Sequence, residues 1–203
     1  LIARIGFDAV KEQVEEEFQK IGPIDPTPFM NIEEIAKENP PEPTAYDAVE
    51  HPTEFLKWKE TNAVEQKQLG YYGVDVNVPL GDVFANQFNK IANIVRNYTG
   101  GRARVTQDQN ITLRWVPESY LFDVWKALKE IDLAEPGVHS ISDVVSCPGT
   151  DSCKLGITSS MGLARPLRES LIAENGKLDD PLVQQMHIKM SGCPNGCGQH
   201  HIA

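Results

Sequence analysis

All four cysteines of this 203-residue chain fall in its last 57 residues, as Cys147 and Cys153 in a C-x5-C pair and Cys193 and Cys197 in a C-x3-C pair. Fully extended, these steps span at most about 21 and 14 Å, so each pair must bend to aim both sulfurs at one point. The intervening residues permit that: Pro148 and Gly149 follow Cys147, and Pro194, Asn195 and Gly196 lie between Cys193 and Cys197. Small residues also let backbone N–H groups approach a sulfide-rich body, where hydrogen bonds to sulfur tune its potential. Disulfides suit secreted chains, and nothing here points to secretion. A redox dithiol favours C-x-x-C. Structural zinc and an iron–sulfur cluster both accept four thiolates; zinc sites favour C-x2-C knuckles, and the spacing does not choose between the two.

The elements that must position these thiols are partly readable. The opening RIGFDAVKEQVEEEFQK sets Phe7, Val10, Val14 and Phe18 at helical spacing. Seven of the 14 prolines lie between Gly22 and Thr53, which predicts a linker or surface wrap with one possible short helix at NIEEIAKEN. Next, GVDVNV alternates Val74, Val76 and Val78 as a strand. The following stretch places Phe84, Phe88, Ile91, Val95 and Tyr98 on one helical face and stops at Gly100-Gly101. ARVT is a short strand, NITLRWV points Ile111, Leu113 and Trp115 inward, and ESYLFDVWKALKEI is a helix. VHSISDVVS then reads as a strand running into Cys147. Strand, helix, strand, strand, helix, strand is the order of a ferredoxin-like α+β unit with an antiparallel sheet. Beyond it, SSMGLARPLRESLIAEN is partly helical, with Pro166 expected in a first turn or at a kink.

Composition limits the partners. The formal charge is −10, and residues 1–50 carry 4 basic and 12 acidic side chains against 5 of each in residues 147–203. No basic stripe is present for nucleic acid. No apolar run approaches the roughly 18 residues that span a bilayer, and no charged-then-apolar leader opens the sequence, so a cytoplasmic protein is expected. The absence of an initiator Met and the Gly-rich close at HHIA suggest a piece of a longer chain.

SCPGTDSCKLG followed by SGCPNGCG closely resembles the cluster-binding half of the siroheme-dependent nitrite and sulfite reductases. QKQLGYYGVDVNVPLGDV and GGRARVTQDQNITLRWVPE resemble that family's ferredoxin-like repeat, and IGFDAVKEQV resembles the helix joining its halves. The resemblance implies a connecting helix over 1–21, a Pro-rich linker over 22–60, a ferredoxin-like repeat over 61–135, and the beginning of an α+β 4Fe-4S/siroheme domain over 136–203. It makes Cys147, Cys153, Cys193 and Cys197 ligands of a 4Fe-4S cluster, with Cys197 also bridging to the siroheme iron. The segment RVTQDQN matches the family's R-x-T-x-x-Q-N element, which assigns Arg104, Thr106, Gln109 and Asn110 to siroheme, with Asn195 of the cysteine loop in the same cofactor-binding set. Arg104 and Thr106, two apart on a strand, point the same way, and siroheme's carboxylates call for forked, permanently charged donors. Arg102 shares that face. His187, His200 and His201 are left as structural, because four thiolates complete the cluster.

The implied chemistry is multi-electron reduction of sulfite to sulfide or nitrite to ammonia, with a ferredoxin or flavoprotein as electron donor. Cationic residues that bind the anion are expected in the other half of such a molecule, and this piece alone is expected to be inactive. The alternative is a non-catalytic structural module that holds zinc or a lone cluster.

Overall fold

The computed structural model describes residues 2–26, 37–44, 50–174 and 180–203. The chain divides into two compact units, 1–37 and 38–203. In the first, a short helix α1 (Ile2–Ile5) precedes α2 (Phe7–Ile21). The stripe carried by Phe7, Val10, Val14 and Phe18 lies on α2 as the periodicity predicts, and none of the helix's residues is buried. Most of NIEEIAKEN, residues 31–36, lies outside the described residues.

The second unit begins its regular structure with a helix inside the stretch read as linker. This helix, α3 (Thr53–Asn62), buries Phe55, Trp58 and Asn62. Phe55 meets Trp58, Phe122 and Trp125 at ring-centroid distances of 6.0, 5.2 and 5.7 Å, so α3 belongs to the core. At its end, the Asn62 side-chain amide donates to the carbonyls of Asp75 and Glu135, both at 3.0 Å. One residue thus ties the helix end to a strand and to the segment after the last sheet-packed helix.

The chain continues through β1 (Ala63–Glu65), β2 (Tyr71–Val76), α4 (Ala85–Tyr98), β3 (Ala103–Val105), β4 (Ile111–Pro117) and α5 (Leu121–Lys129). Among the described residues these strands form one antiparallel sheet in the order β1-β2-β4-β3. Val74, Val76, Ile111, Leu113 and Val116 pack from the sheet against Ile91, Ile94 and Val95 of α4 and Leu121, Val124, Trp125 and Leu128 of α5. The ferredoxin-like α+β layout is present, with one exchange. The place beside β2, expected for the strand read at VHSISDVVS, is taken by β1 from the start of the unit. An edge position needs only one hydrogen-bonding neighbour, and β1 reaches β2 through a short connection that holds it there first.

Two further expectations change. Trp115 does not point into the core: the β2–β4 register shifts between Tyr72 and Val74, Trp115 has a φ of 63°, and Val116 takes the inward place. An extra residue in a bulge reverses the alternation beyond it. Phe84 and Phe88 are exposed, and the buried stripe of α4 runs through Ile91, Ile94 and Val95. Gln87 anchors the start of that helix, accepting from the Phe84 N–H at 3.0 Å and donating to the Ile131 carbonyl at 2.8 Å.

After α5 the chain enters a smaller layer. Here β5 (Val145–Ser146) pairs in parallel with β6 (Lys189–Met190), with α6 (Ser160–Ala173) and the short α7 (Pro181–Gln184) between them. Pro166 lies in the interior of α6 rather than its first turn. Leu80, Val144, Met161 and Ala164 form the buried core of this layer.

Candidate functional site

Both cysteine pairs are launched from the small parallel sheet. Cys147 is the residue after β5, and its N–H donates to the Met190 carbonyl at 3.1 Å, which continues the β5–β6 pairing by one step. Cys193 lies three residues past β6. The two segments then interlock through their backbones. Gly192 donates its N–H to the Cys147 sulfur at 3.1 Å, and its carbonyl accepts from Ile157 at 2.8 Å and Thr158 at 3.0 Å. Thr150 donates to the Thr158 carbonyl at 3.1 Å, which closes the loop that carries Cys153.

Glycine is required where these loops cross. A Cβ on Gly192 would stand 2.7 Å from the Gly149 Cα, and one on Gly198 would stand 1.8 Å from the Met190 carbonyl oxygen. Main chain packs on main chain at both crossings. Cys147 is buried, Cys153 and Cys193 half-buried and Cys197 exposed, all as free thiols. Burial pushes the Cys147 thiol up, but hydrogen bonds from the Ser160 hydroxyl and the N–H groups of Gly192 and Gly149 outweigh it and hold the group below the ordinary thiol value. Among the described residues, no three His, Cys, Asp or Glu side chains converge as a seat for a single metal ion.

Asn195 is exposed in the turn between Cys193 and Cys197. The rings of His200 and His201 lie 3.8 Å apart by centroid and are tilted by 41°, His201 lies against Gly196, and His187 is exposed.

The RVTQDQN element divides in two. Arg104 sits opposite Thr112 in the β3–β4 ladder, on the sheet face away from the helices, and its guanidinium donates to Glu38 at 3.1 Å. Glu38 also accepts from the Trp115 indole N–H at 2.5 Å and lies 3.5 Å from Arg114. Burial raises the Glu38 carboxyl, yet the Trp115 and Arg104 hydrogen bonds and the two guanidinium charges bring it below its usual range. Sequence reasoning missed Glu38, which lies 66 residues before Arg104 in the Pro-rich stretch and carries no local signal. Arg102 is exposed near the same strand and engaged in an interaction of its own.

The rest of the element is a turn facing the cysteine layer. Thr106 accepts the Asn110 N–H on its hydroxyl at 3.1 Å and donates its own N–H to the Asn110 carbonyl at 2.9 Å. The Gln109 side chain exchanges two hydrogen bonds with the Ser146 backbone. Asn110 is fully buried, accepting from the Val78 N–H at 2.8 Å and donating to Asp143 at 2.8 Å. Lys189 joins the same region, pairing with Asp108 at 2.9 Å and Gln199 at 3.0 Å, so the turn is tied to the end of the second cysteine segment as well.

The comparisons agree with this architecture. Residues 64–131 match the nitrite/sulfite reductase ferredoxin-like half domain. A ferredoxin–nitrite reductase of Synechococcus elongatus is 29% identical over 161 residues, covering 74% of this chain and 29% of the relative. A sulfite reductase [ferredoxin] 2 of Mycolicibacterium paratuberculosis is 26% identical over 167 residues, covering 80% and 27%. Among solved structures, the Mycobacterium tuberculosis NirA protein shares the fold with a TM-score of 0.54 at 24% identity, covering 77% of this chain and 28% of that one. Residues 64–131 are therefore a nitrite/sulfite reductase ferredoxin-like half domain, and the chain spans less than a third of the length of the relatives it matches.

Proposed function

We propose that this chain supplies the four-cysteine seat of a 4Fe-4S cluster and part of a siroheme cradle in an oxidoreductase that reduces sulfite or nitrite. The observation that carries the reading is the interlock of the two cysteine segments, in which Gly192 of one donates its N–H to the Cys147 sulfur of the other. The residues fit such a group on two counts. The donor set is four free thiols, one of them biased toward thiolate, and the loops cross at glycines where any Cβ would intrude.

In this reading Cys147, Cys153, Cys193 and Cys197 would hold the cluster, and the exposed Cys197 would serve the siroheme iron as well. When bound, the two groups would supply one-electron relay and an iron at which the anion is reduced. The chain's own residues do the holding and orienting. The Gly192 N–H donates to the Cys147 sulfur, the Ser160 hydroxyl lies against it, and together they aim it and favour its charged form. Arg104 offers siroheme carboxylates the guanidinium donors that its Glu38 pairing leaves over, since five N–H groups fork from that side chain. Thr106, Gln109 and Asn110 act on the cradle through the turn they build, and the exposed Asn195 belongs to the same cofactor-facing set. The donor is a ferredoxin, as the names of the relatives state for them, or a flavoprotein. A cytoplasmic location belongs to the same proposal; no helix among the described residues is long and apolar enough to cross a membrane.

The test is anaerobic purification of the full-length protein followed by iron, acid-labile sulfide and absorption measurements. Acid-labile sulfide with a small excess of iron, the siroheme iron adding to that of the cluster, is expected together with siroheme bands. Zinc alone would sink the cluster, and iron and sulfide without siroheme bands would leave the alternative, a module with a lone cluster.

A further inference from the structure

The β3–β4 turn contains an anomaly of residue type. Gln109 has a φ of 66°, in the left-handed region that favours Gly, Asn or Asp. Its side chain explains why glutamine stands there. The amide nitrogen donates to the Ser146 carbonyl at 2.8 Å, and the amide oxygen accepts the Ser146 N–H at 3.1 Å. Both polar groups of one β5 residue are thus satisfied by one side chain, as an adjoining strand would satisfy them. The other edge of β5 is held by β6, through Val145 donating to Ile188 and Cys147 donating to Met190. Glycine has no amide and asparagine is one methylene shorter, so the residues that suit the backbone there would leave the β5 edge unpaired. Gly81 makes room for the arrangement: a Cβ there would stand 3.2 Å from the Gln109 Cβ.

We propose that Gln109 is a positioning residue for the Cys147 thiolate, an amide clamp that fixes β5 so that the next residue presents its sulfur to the cluster seat. This rests on the four-cysteine reading above. A two-residue strand has almost no register information of its own, and a slip of one residue would turn Cys147 to the opposite face. The clamp supplies that register from the ferredoxin-like sheet. The RVTQDQN element thereby gains a second role, since it joins the strand that bears Arg104 to the first cluster ligand, through Gln109 and then Ser146.

The test compares Gln109→Leu, which keeps bulk and loses both bonds, with Gln109→Glu, which can still accept from Ser146 N–H but cannot donate. Gln107→Leu, on the exposed part of the same turn, is the control. In iron-free full-length protein, Gln109→Leu is expected to exchange the Ser146 amide hydrogen about tenfold faster and to alkylate Cys147 faster, with Gln109→Glu in between. In cluster-loaded protein, Gln109→Leu is expected to shift the EPR signature and midpoint potential of the reduced cluster, while Gln107→Leu leaves both unchanged. Wild-type exchange, alkylation and EPR in Gln109→Leu would overturn the clamp, as would a Gln109→Glu protein that matches wild type in all three should Gln109→Leu fail to fold. A wild-type protein without iron and sulfide would instead overturn the cluster reading, and the exchange and alkylation rates would still decide whether Gln109 positions Cys147.

Discussion

Replacing Asn110 with alanine separates two roles that its position in RVTQDQN leaves confounded. If Asn110 acts by touching a cofactor, the iron-free protein should lose almost nothing. If it acts as the cross-link the structure contains, the loss is large. Alanine would strand the Val78 N–H, which is buried, at a cost of about 1–3 kcal/mol, and remove a donor from the Asp143 carboxylate, worth about 1.5–3 kcal/mol. Asp143 keeps the His139 N–H at 2.9 Å, so a total of about 3–5 kcal/mol is expected. Against the ~5–15 kcal/mol that holds a domain folded, this is a major fraction. Urea denaturation of the iron-free full-length protein reads it directly, and a loss below about 1 kcal/mol would refute the cross-link. Asn110→Asp adds a check on sign. Its oxygen still accepts from Val78 but faces Asp143, whose carboxyl is pushed up by burial, so the two acids would share a proton. That variant should lie closer to wild type in mild acid than at alkaline pH.

Gly198→Ala would drive a Cβ to 1.8 Å from the Met190 carbonyl oxygen; the C-x3-C segment should leave β6, seen as faster alkylation of Cys193 and loss of iron. Cys197→Ser should change both cluster and haem spectra if this sulfur is shared, and an unaltered haem spectrum would remove the bridge assignment. His139 faces Asp75, Asp108 and Asp143, with Lys189 beyond on Asp108. Its hydrogen bond to Asp75 lifts the imidazole above 6.5 despite burial, with the three acids adding to the rise. The stabilisation is therefore complete below 6.5 and is lost as pH rises through the raised value, so His139→Gln should flatten the decline of the urea midpoint above 6.5.

Where local pattern and burial agree, the fold was legible. Val74, Val76, Ile111 and Leu113 alternate and are buried, and ESYLFDVWKALKEI forms the expected helix with Val124 and Leu128 buried. What escaped depends on distant partners. The helix TEFLKWKETN has no clean apolar stripe, because its buried Phe55 and Trp58 meet an aromatic cluster from α5 beside a polar flank. Trp115 reads as inward until a bulge reverses its strand, and a three-residue β1 is too short for periodicity to declare. The site divides the same way. Cysteine type and spacing are local, so both pairs could be read directly. The Glu38 partner of Arg104 and the Ser146 partner of Gln109 are 66 and 37 residues away, where no window of sequence joins them.

The exchange of the last expected strand for β1 has a consequence for the order of assembly. Strand pairing across a short connection forms quickly, whereas pairing across a long one must first close a large loop. With β1 beside β2, the sheet is complete once residues 63–117 have been made, and α5 follows at once to cover it. The cysteine segments emerge from the ribosome afterwards, onto a finished platform whose β3–β4 turn already displays Gln109 and Asn110. Synthesis in that order presents the late-arriving β5 with a waiting template, so the thiols need not meet before the scaffold that arranges them exists.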